Sequence, residues 1–144
     1  FETVGEVHQA LLIDDYAHHP SEVLVTLKAA KEALTSGTGR VVAVFQPHRY
    51  TRLQALWDEF AACFGDADVL YLTDVYAAHE AVIPGVNSEA LAKASAHENA
   101  KYIPLDANFE TLRKELKQAI QPGDIVLSMG AGNITNLLRQ WSPS

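Results

Sequence analysis

The sequence predicts a three-layer α/β domain, with a mostly parallel sheet and helices on both faces. Three observations predict it. Short apolar runs alternate with amphipathic helical stretches along the 144 residues, the order that builds βαβ units and therefore parallel strands. The run Val41-Val42-Ala43-Val44-Phe45 contains no polar residue, as a strand covered on both faces requires. The composition, 48% hydrophobic and 20% charged, is that of an ordinary globular chain, and a chain of this length can bury about 68–70% of its unfolded surface in one domain.

The elements follow in order. Val4 to Gln9 reads as a weak strand and Leu11 to Asp15 as a stronger one. A helix is expected from Pro20 to about Leu34, because Val23, Leu27, Ala30 and Leu34 form one stripe while Lys28, Lys31 and Glu32 face water. Pro20 fits the first helical position, where its missing N–H costs nothing. Ser36-Gly37-Thr38-Gly39 turns the chain into the strand Val41–Phe45. The next helix, about Thr51 to Phe64, carries Leu53, Leu56, Trp57, Phe60 and Phe64 and stops at Gly65-Asp66. Val69 to Leu72 is a strand, Asp74 to Val86 a long irregular loop, and Asn87-Ser88-Glu89 opens a short helix around Leu91. Lys101 to Leu105 is a short strand. Asn108 is expected to cap a helix bearing Phe109, Leu112, Leu116 and Ile120. Ile125 to Leu127 is the last strand, and the loop Met129 to Asn133 opens a final helix with Ile134, Leu137, Leu138 and Trp141.

In open α/β sheets, ligands bind where strands end and helices begin. Two such places concentrate chemistry here. Asp14-Asp15-Tyr16-Ala17-His18-His19-Pro20 follows one strand and Gln46-Pro47-His48-Arg49-Tyr50-Thr51-Arg52 follows another; together they hold three of the six histidines. Helix capping would explain one polar residue in the first segment, but not two carboxylates, a phenol and two imidazoles. A carboxylate there can hold a ribose hydroxyl or a magnesium-bound water, while His and Tyr can fix a small polar substrate. In the second segment Arg49 and Arg52, three residues apart at a helix start, are expected on one side of the first turn as an anion site; the plain alternative is a solvated helix start. Asp74-Val75-Tyr76-Ala77-Ala78-His79-Glu80, ahead of Pro84-Gly85, reads either as a lid or as an ordinary surface loop. Gly130-Ala131-Gly132-Asn133 permits close backbone approach to a ligand, but neither a dinucleotide fingerprint nor a P-loop is present. A zinc site from His18, His48 and Asp14 or Asp15 is disfavoured by the neighbouring arginines. His8, His79 and His97 stand alone and read as surface or loop residues.

The remaining features set limits. A net charge of −7 argues against a nucleic-acid or anionic-membrane surface. The lone cysteine, Cys63, falls on an apolar helix face and reads as a core thiol in a reducing compartment. No stretch approaches the ~18 apolar residues of a membrane span. The opening Phe1-Glu2-Thr3 has no basic n-region and reads as mid-protein, so a piece of a longer polypeptide is expected.

The segments Asp-Asp-Tyr-Ala-His-His-Pro, Phe-Gln-Pro-His-Arg-Tyr-Thr-Arg, Asp-Val-Tyr-Ala-Ala-x-Glu with Ile-Pro-Gly, and Gly-Ala-Gly-Asn together resemble the C-terminal domain of the Mur ligase family, in its UDP-N-acetylmuramate–L-alanine branch. The resemblance covers nearly the whole chain, and its second segment is the most specific. The related murein-peptide recycling ligases share the first segment but lack the second. The resemblance implies that residues 1–144 form the C-terminal domain, a Rossmann-like sheet of about six strands. The domains that hold the UDP-sugar and the P-loop with ATP and Mg2+ would lie elsewhere in the full protein. It implies a cytoplasmic bacterial ligase of peptidoglycan precursor synthesis that joins L-alanine to UDP-N-acetylmuramate through an acyl phosphate. Its partners would be UDP-N-acetylmuramate, L-alanine, ATP and the other two domains of the same chain, with neither nucleic acid nor membrane. No catalytic group and no metal ligand is expected from this domain, which by itself should be inactive. Carried over by position, Asp15 is expected near the nucleotide. Tyr16, His18, His48, Arg49 and Arg52 would line the L-alanine pocket, with the arginines on its carboxylate, and Asn133 would contact the amino acid. Ala17 stands where the family frequently has glycine, which should matter little, and His79 replaces the glycine of the family's Tyr-Ala-Ala-Gly-Glu; His79 puts the loop backbone in question, since glycine takes φ > 0 more easily. Other readings are the recycling ligase, a stand-alone flavodoxin-like module that binds a small ligand, and a metal-dependent hydrolase.

Overall fold

A computed structural model describes residues 1–34 and 39–141. The elements run β1 (Glu2–Val7), β2 (Ala10–Asp15), α1 (Pro20–Ala33), β3 (Val41–Phe45), α2 (Tyr50–Ala55), α3 (Trp57–Ala61), β4 (Val69–Leu72), α4 (Ser88–Ala94), β5 (Ala100–Tyr102), α5 (Glu110–Ala119), β6 (Ile125–Met129) and α6 (Asn136–Arg139). The strands form one six-stranded sheet in the order β1-β2-β6-β3-β4-β5. β1 is antiparallel to β2, and every other pairing is parallel. The expected mostly parallel sheet of six strands is therefore observed.

Side-chain alternation along the strands divides the core in two. Ile13, Phe45, Leu70 and Leu127 face the layer of α1 to α4, with Leu27, Phe60 and Leu91. Leu12, Val44 and Val126 face the layer of α5 and α6, with Leu112, Leu116 and Leu137. β3 and β6, at the centre, are buried at every position. Cys63 is buried, and burial pushes its thiol up to about 12, so it is the inert core thiol expected. Among the described residues, no helix is long and apolar enough to cross a membrane.

Several local expectations are corrected. The first strand ends at Val7, which pairs with Ala10. His8 and Gln9 between them have φ of 52° and 65°, making a two-residue hairpin loop with both positions left-handed. The helix expected over 51–64 breaks at Leu56 (φ −114°, ψ 26°) into α2 and α3; nothing in its packing explains the break. β5 stops at Tyr102, and the Leu105 N–H goes to the Asp74 carboxylate instead. Asn108 does not cap α5: it sits at φ 60° inside a 3-10 turn, and the Asp106 carboxylate accepts from the Thr111 N–H. The last helix is a 3-10 turn (Asn133–Thr135) followed by the short α6. Ser36, Gly37 and Thr38 lie outside the described residues.

Candidate functional site

The two polar segments emerge at the same end of the sheet, because β2, β6, β3 and β4 are parallel neighbours. Backbone bonds extend the ladder past the strand ends: the Gly130 N–H donates to Asp15 O, Gln46 N–H to Met129 O and Thr73 N–H to Phe45 O. The four segments singled out in the sequence therefore share one rim.

At the end of β2 the adjacent aspartates part company. Asp14 turns to the α6 layer, where its Oδ2 accepts from the Thr135 hydroxyl (2.6 Å) and from Arg139 (3.0 Å). Asp15 lies on the α1 side. Its Oδ1 accepts from the Ala17 N–H (2.8 Å). With Tyr16, Ser21, Val25 and Thr26 it lines an open groove of about 480 Å³. The start of α1 is capped by Glu22, whose Oε1 accepts from the N–H groups of His18 and His19. His18 sets its Nδ1 against the Tyr16 carbonyl (3.0 Å), and Tyr16 itself is largely exposed. A carbonyl only accepts, so His18 carries a proton on Nδ1.

Beyond β3 the chain makes one more pairing, His48 with Tyr76 of the long loop. Tyr76 N–H donates to Pro47 O and Arg49 N–H to Tyr76 O, both at 2.8 Å. The rings of His48 and Tyr76 stack at 5.4 Å with 8° between planes, and His18 lies 6.1 Å from His48. Arg52 Nη1 donates to His48 Nδ1 at 3.2 Å, so His48 offers an Nε2–H. Burial lowers the His48 pKa below 6.5, and Arg52, His18 and Arg49 push it the same way. The imidazole is neutral at neutral pH.

Arg49 and Arg52 do not form the pair expected on one side of a helical turn. Arg49 precedes α2 at φ 74°, ψ 132°, a region non-glycine residues rarely enter. Its Nε and Nη2 meet Glu80 Oε2 at 3.1 and 3.0 Å. Glu80 also accepts from the Thr51 N–H and hydroxyl. The Thr51 hydroxyl, then its N–H and Arg49, pull this carboxyl down to about 2. Arg52 faces His48 instead.

The glycine loop meets this assembly through Gln46, which is buried (1% exposed). Gln46 Nε2 donates to Asn133 Oδ1 at 2.9 Å, and its Oε1 accepts from the Ile134 N–H at 3.2 Å. At Gly132 a Cβ would lie 2.6 Å from the Tyr76 ring, so only glycine lets that ring sit between the loop and His48.

The structure thus brings Asp15, Tyr16, His18, His48, Arg49, Arg52 and Asn133 to one rim, and parts Arg49 from Arg52. Sequence reasoning placed Gln46, Tyr76 and Glu80 inside candidate segments but gave none of the three an individual role in the site. A polar residue directly after an all-apolar strand was the signal for Gln46; nothing in the spacing pointed to Glu80. Among the described residues, no three His, Cys, Asp or Glu side chains converge as metal ligands would. Asp14, on the opposite face, cannot join His18 and His48.

Similarity to known proteins now adds to this geometry. The family model described as "Mur ligase, glutamate ligase domain" matches residues 1–132. This chain belongs to the Mur ligase family. The UDP-N-acetylmuramate–L-alanine ligases of Rickettsia bellii, Anaeromyxobacter sp. and Brucella anthropi are 45%, 49% and 48% identical to it, over 97%, 94% and 99% of its length. The chain spans about three tenths of those relatives, the covered shares being 30%, 29% and 29%. Two solved structures share the Mur ligase fold. One is a domain assigned to a UDP-N-acetylmuramate:L-alanyl-γ-D-glutamyl-meso-diaminopimelate ligase from Haemophilus ducreyi, with TM-score 0.69, 23% identity, and coverage of 96% of this chain and 94% of that one. The other is the UDP-N-acetylmuramate–alanine ligase of Thermotoga maritima, with TM-score 0.67, 24% identity, and coverage of 97% and 28%. Membership in the Mur ligases favours the ligase reading over a stand-alone flavodoxin-like module or a metal-dependent hydrolase.

Proposed function

We propose that this chain is the amino-acid-binding, closing domain of an ATP-dependent bacterial cytoplasmic ligase that joins L-alanine to UDP-N-acetylmuramate in peptidoglycan precursor synthesis. What supports it most is the 45–49% identity, over nearly the whole chain, to proteins bearing that name. In this reading the rim is the amino-acid pocket. His48 offers a neutral N–H and Arg52 a guanidinium toward the carboxylate, where a charge-assisted bond is worth roughly 1.5–3 kcal/mol. His18, when neutral, presents an Nε2 lone pair that suits an ammonium or its departing proton. Tyr16, Arg49 and Asn133 complete the walls. Asp15, on its open groove, faces the nucleotide.

The contribution of such a pocket is proximity: it holds the amine against the activated lactyl carboxyl and shuts water out, and orientation supplies several kcal/mol of a barrier. Mg2+ and the ATP phosphates do not fit this domain's own donors. Asp15 is a lone carboxylate, Glu22 is spent on backbone N–H groups, and the sequence has no P-loop. In this reading they are held mainly by the P-loop domain of the full protein.

The test is ADP release by the full-length protein with UDP-N-acetylmuramate and ATP. L-Alanine should support turnover and the tripeptide L-Ala-γ-D-Glu-meso-diaminopimelate should not, and the 144-residue chain alone should be inactive. Turnover with the tripeptide in place of alanine, or by the isolated chain, defeats the reading.

A further inference from the structure

Residues 74–86 cross the rim as a strap fastened at two places. Tyr76 lies flat on His48 and fills the space above Gly132. Four residues on, Glu80 takes the Thr51 N–H (3.1 Å), the Thr51 hydroxyl and two nitrogens of Arg49. Between these anchors Ala78 and His79 hold φ of 49° and 71°. Such backbone persists where the surroundings over-determine it. An incoming carboxylate could reach the same two nitrogens of Arg49 only by displacing a carboxylate that already has four donors. Arg52 carries no such burden: among the described residues no carboxylate pairs with it, and its Nη1 lies on His48.

We propose that the two arginines have different tasks: the Glu80–Arg49 pair is a positioning device that clamps the 74–86 strap, and with it Tyr76, against His48, while Arg52 is the arginine that meets the carboxylate of the incoming amino acid. The proposal rests on the amino-acid reading of the rim. It makes Glu80 a determinant of the pocket's shape although it touches no substrate.

The full-length ligase is assayed with L-alanine varied at saturating ATP and UDP-sugar. Glu80→Gln and Arg49→Lys should each raise KM for alanine by at least about tenfold, the low end of the worth of one charge-assisted bond. Their double variant should do no worse than either, because the two act as one unit. Arg52→Lys should raise KM further and multiply with both, and kcat should move little for the clamp variants. In the 144-residue chain, Glu80→Gln should shift the His48 ring resonances by loosening the Tyr76 stack, with the fold intact by circular dichroism. The proposal is overturned if Arg49→Lys raises KM while Glu80→Gln lowers it, since Glu80 would then compete with substrate for Arg49. Independent, multiplying effects of Glu80→Gln and Arg49→Lys overturn it as well, as do unmoved His48 resonances. If the unaltered ligase ignores alanine, the amino-acid reading fails, and the His48 resonances still decide whether Glu80 clamps the strap.

Discussion

Gln46 and Asn133 meet side chain to side chain, Nε2 to Oδ1 at 2.9 Å, across the ends of β3 and β6. The other half of the same buried amide accepts the Ile134 N–H. One residue thus fixes where the glycine loop ends and where the last helical turns begin. Gln46→Leu keeps the volume and strands both partners. Each buried group left without its partner costs about 1–3 kcal/mol; Asn133 is exposed and recovers water, so the Ile134 N–H sets the size. The denaturant midpoint should fall by that amount with an unchanged m-value. A midpoint within error of the parent chain would mean that the link is incidental.

His79 stands at φ 71° in a sequence position where a glycine would be unstrained. The sequence left the loop backbone in question at this residue, and the structure answers that histidine adopts the left-handed conformation. That conformation costs a residue with a Cβ roughly 1–2 kcal/mol, against roughly 0.4–1 kcal/mol lost to glycine's freer unfolded chain. His79 is exposed, so removing its side chain forfeits little packing. His79→Gly should raise the melting temperature of the chain by a few degrees, about 1 kcal/mol or less. A fall on calorimetry would show that the imidazole has a contact worth more than the strain.

His48 should titrate below 6.5. Burial is the first cause and the positive charge of Arg52 the next. The sign follows from linkage: around and below pH 6.5 the unfolded chain binds more protons at this residue than the folded chain does. The stability it contributes is therefore present above about 6.5 and declines as pH falls below that value. An NMR titration of the ring should give a midpoint under 6.5, and Arg52→Gln should move it upward. A midpoint at or above 6.5 in the parent chain would contradict the neutral donor on which the pocket's chemistry depends.

Much of this was legible before any coordinates, for physical reasons that also mark where legibility ended. Val41–Phe45 could only be a covered strand, and its burial at every position is what an all-apolar run requires. Val23, Leu27 and Ala30 sit one turn apart and are all buried on α1. Local hydrogen-bond competition was not legible. His8 and Gln9 form a tight hairpin loop without the Asn-Gly signal that normally announces one, and Asp106 took the helix-capping role expected of Asn108. The rim followed the same division. Parallel strands carried both polar segments to one end. The partition of Arg49 from Arg52 depended on Glu80, about thirty residues downstream and brought near by tertiary structure alone.

The opposite end of the sheet carries a different kind of charge. Asp124, 1% exposed ahead of β6, accepts from the Arg40 N–H (3.1 Å), from Arg40 Nε and Nη2 (3.3 and 2.8 Å) and from the Gln121 N–H (2.8 Å). Arg40 also donates to the Ala119 carbonyl, so this one pair joins the starts of β3 and β6 to the end of α5. Asp124→Ala leaves backbone and guanidinium donors facing a void. Removing one member of a buried pair costs about 3–5 kcal/mol, and because Arg40 is partly exposed the lower end applies. Urea unfolding of the chain should show a loss near 3 kcal/mol, a large part of a typical domain's total stability of about 5–15 kcal/mol. The same substitution in the full-length ligase should leave KM for alanine unchanged at a temperature where the protein stays folded, since Asp124 lies a strand's length from the rim. A raised KM with little lost stability would reverse the division, placing binding at the end of the sheet that holds the Arg40–Asp124 pair.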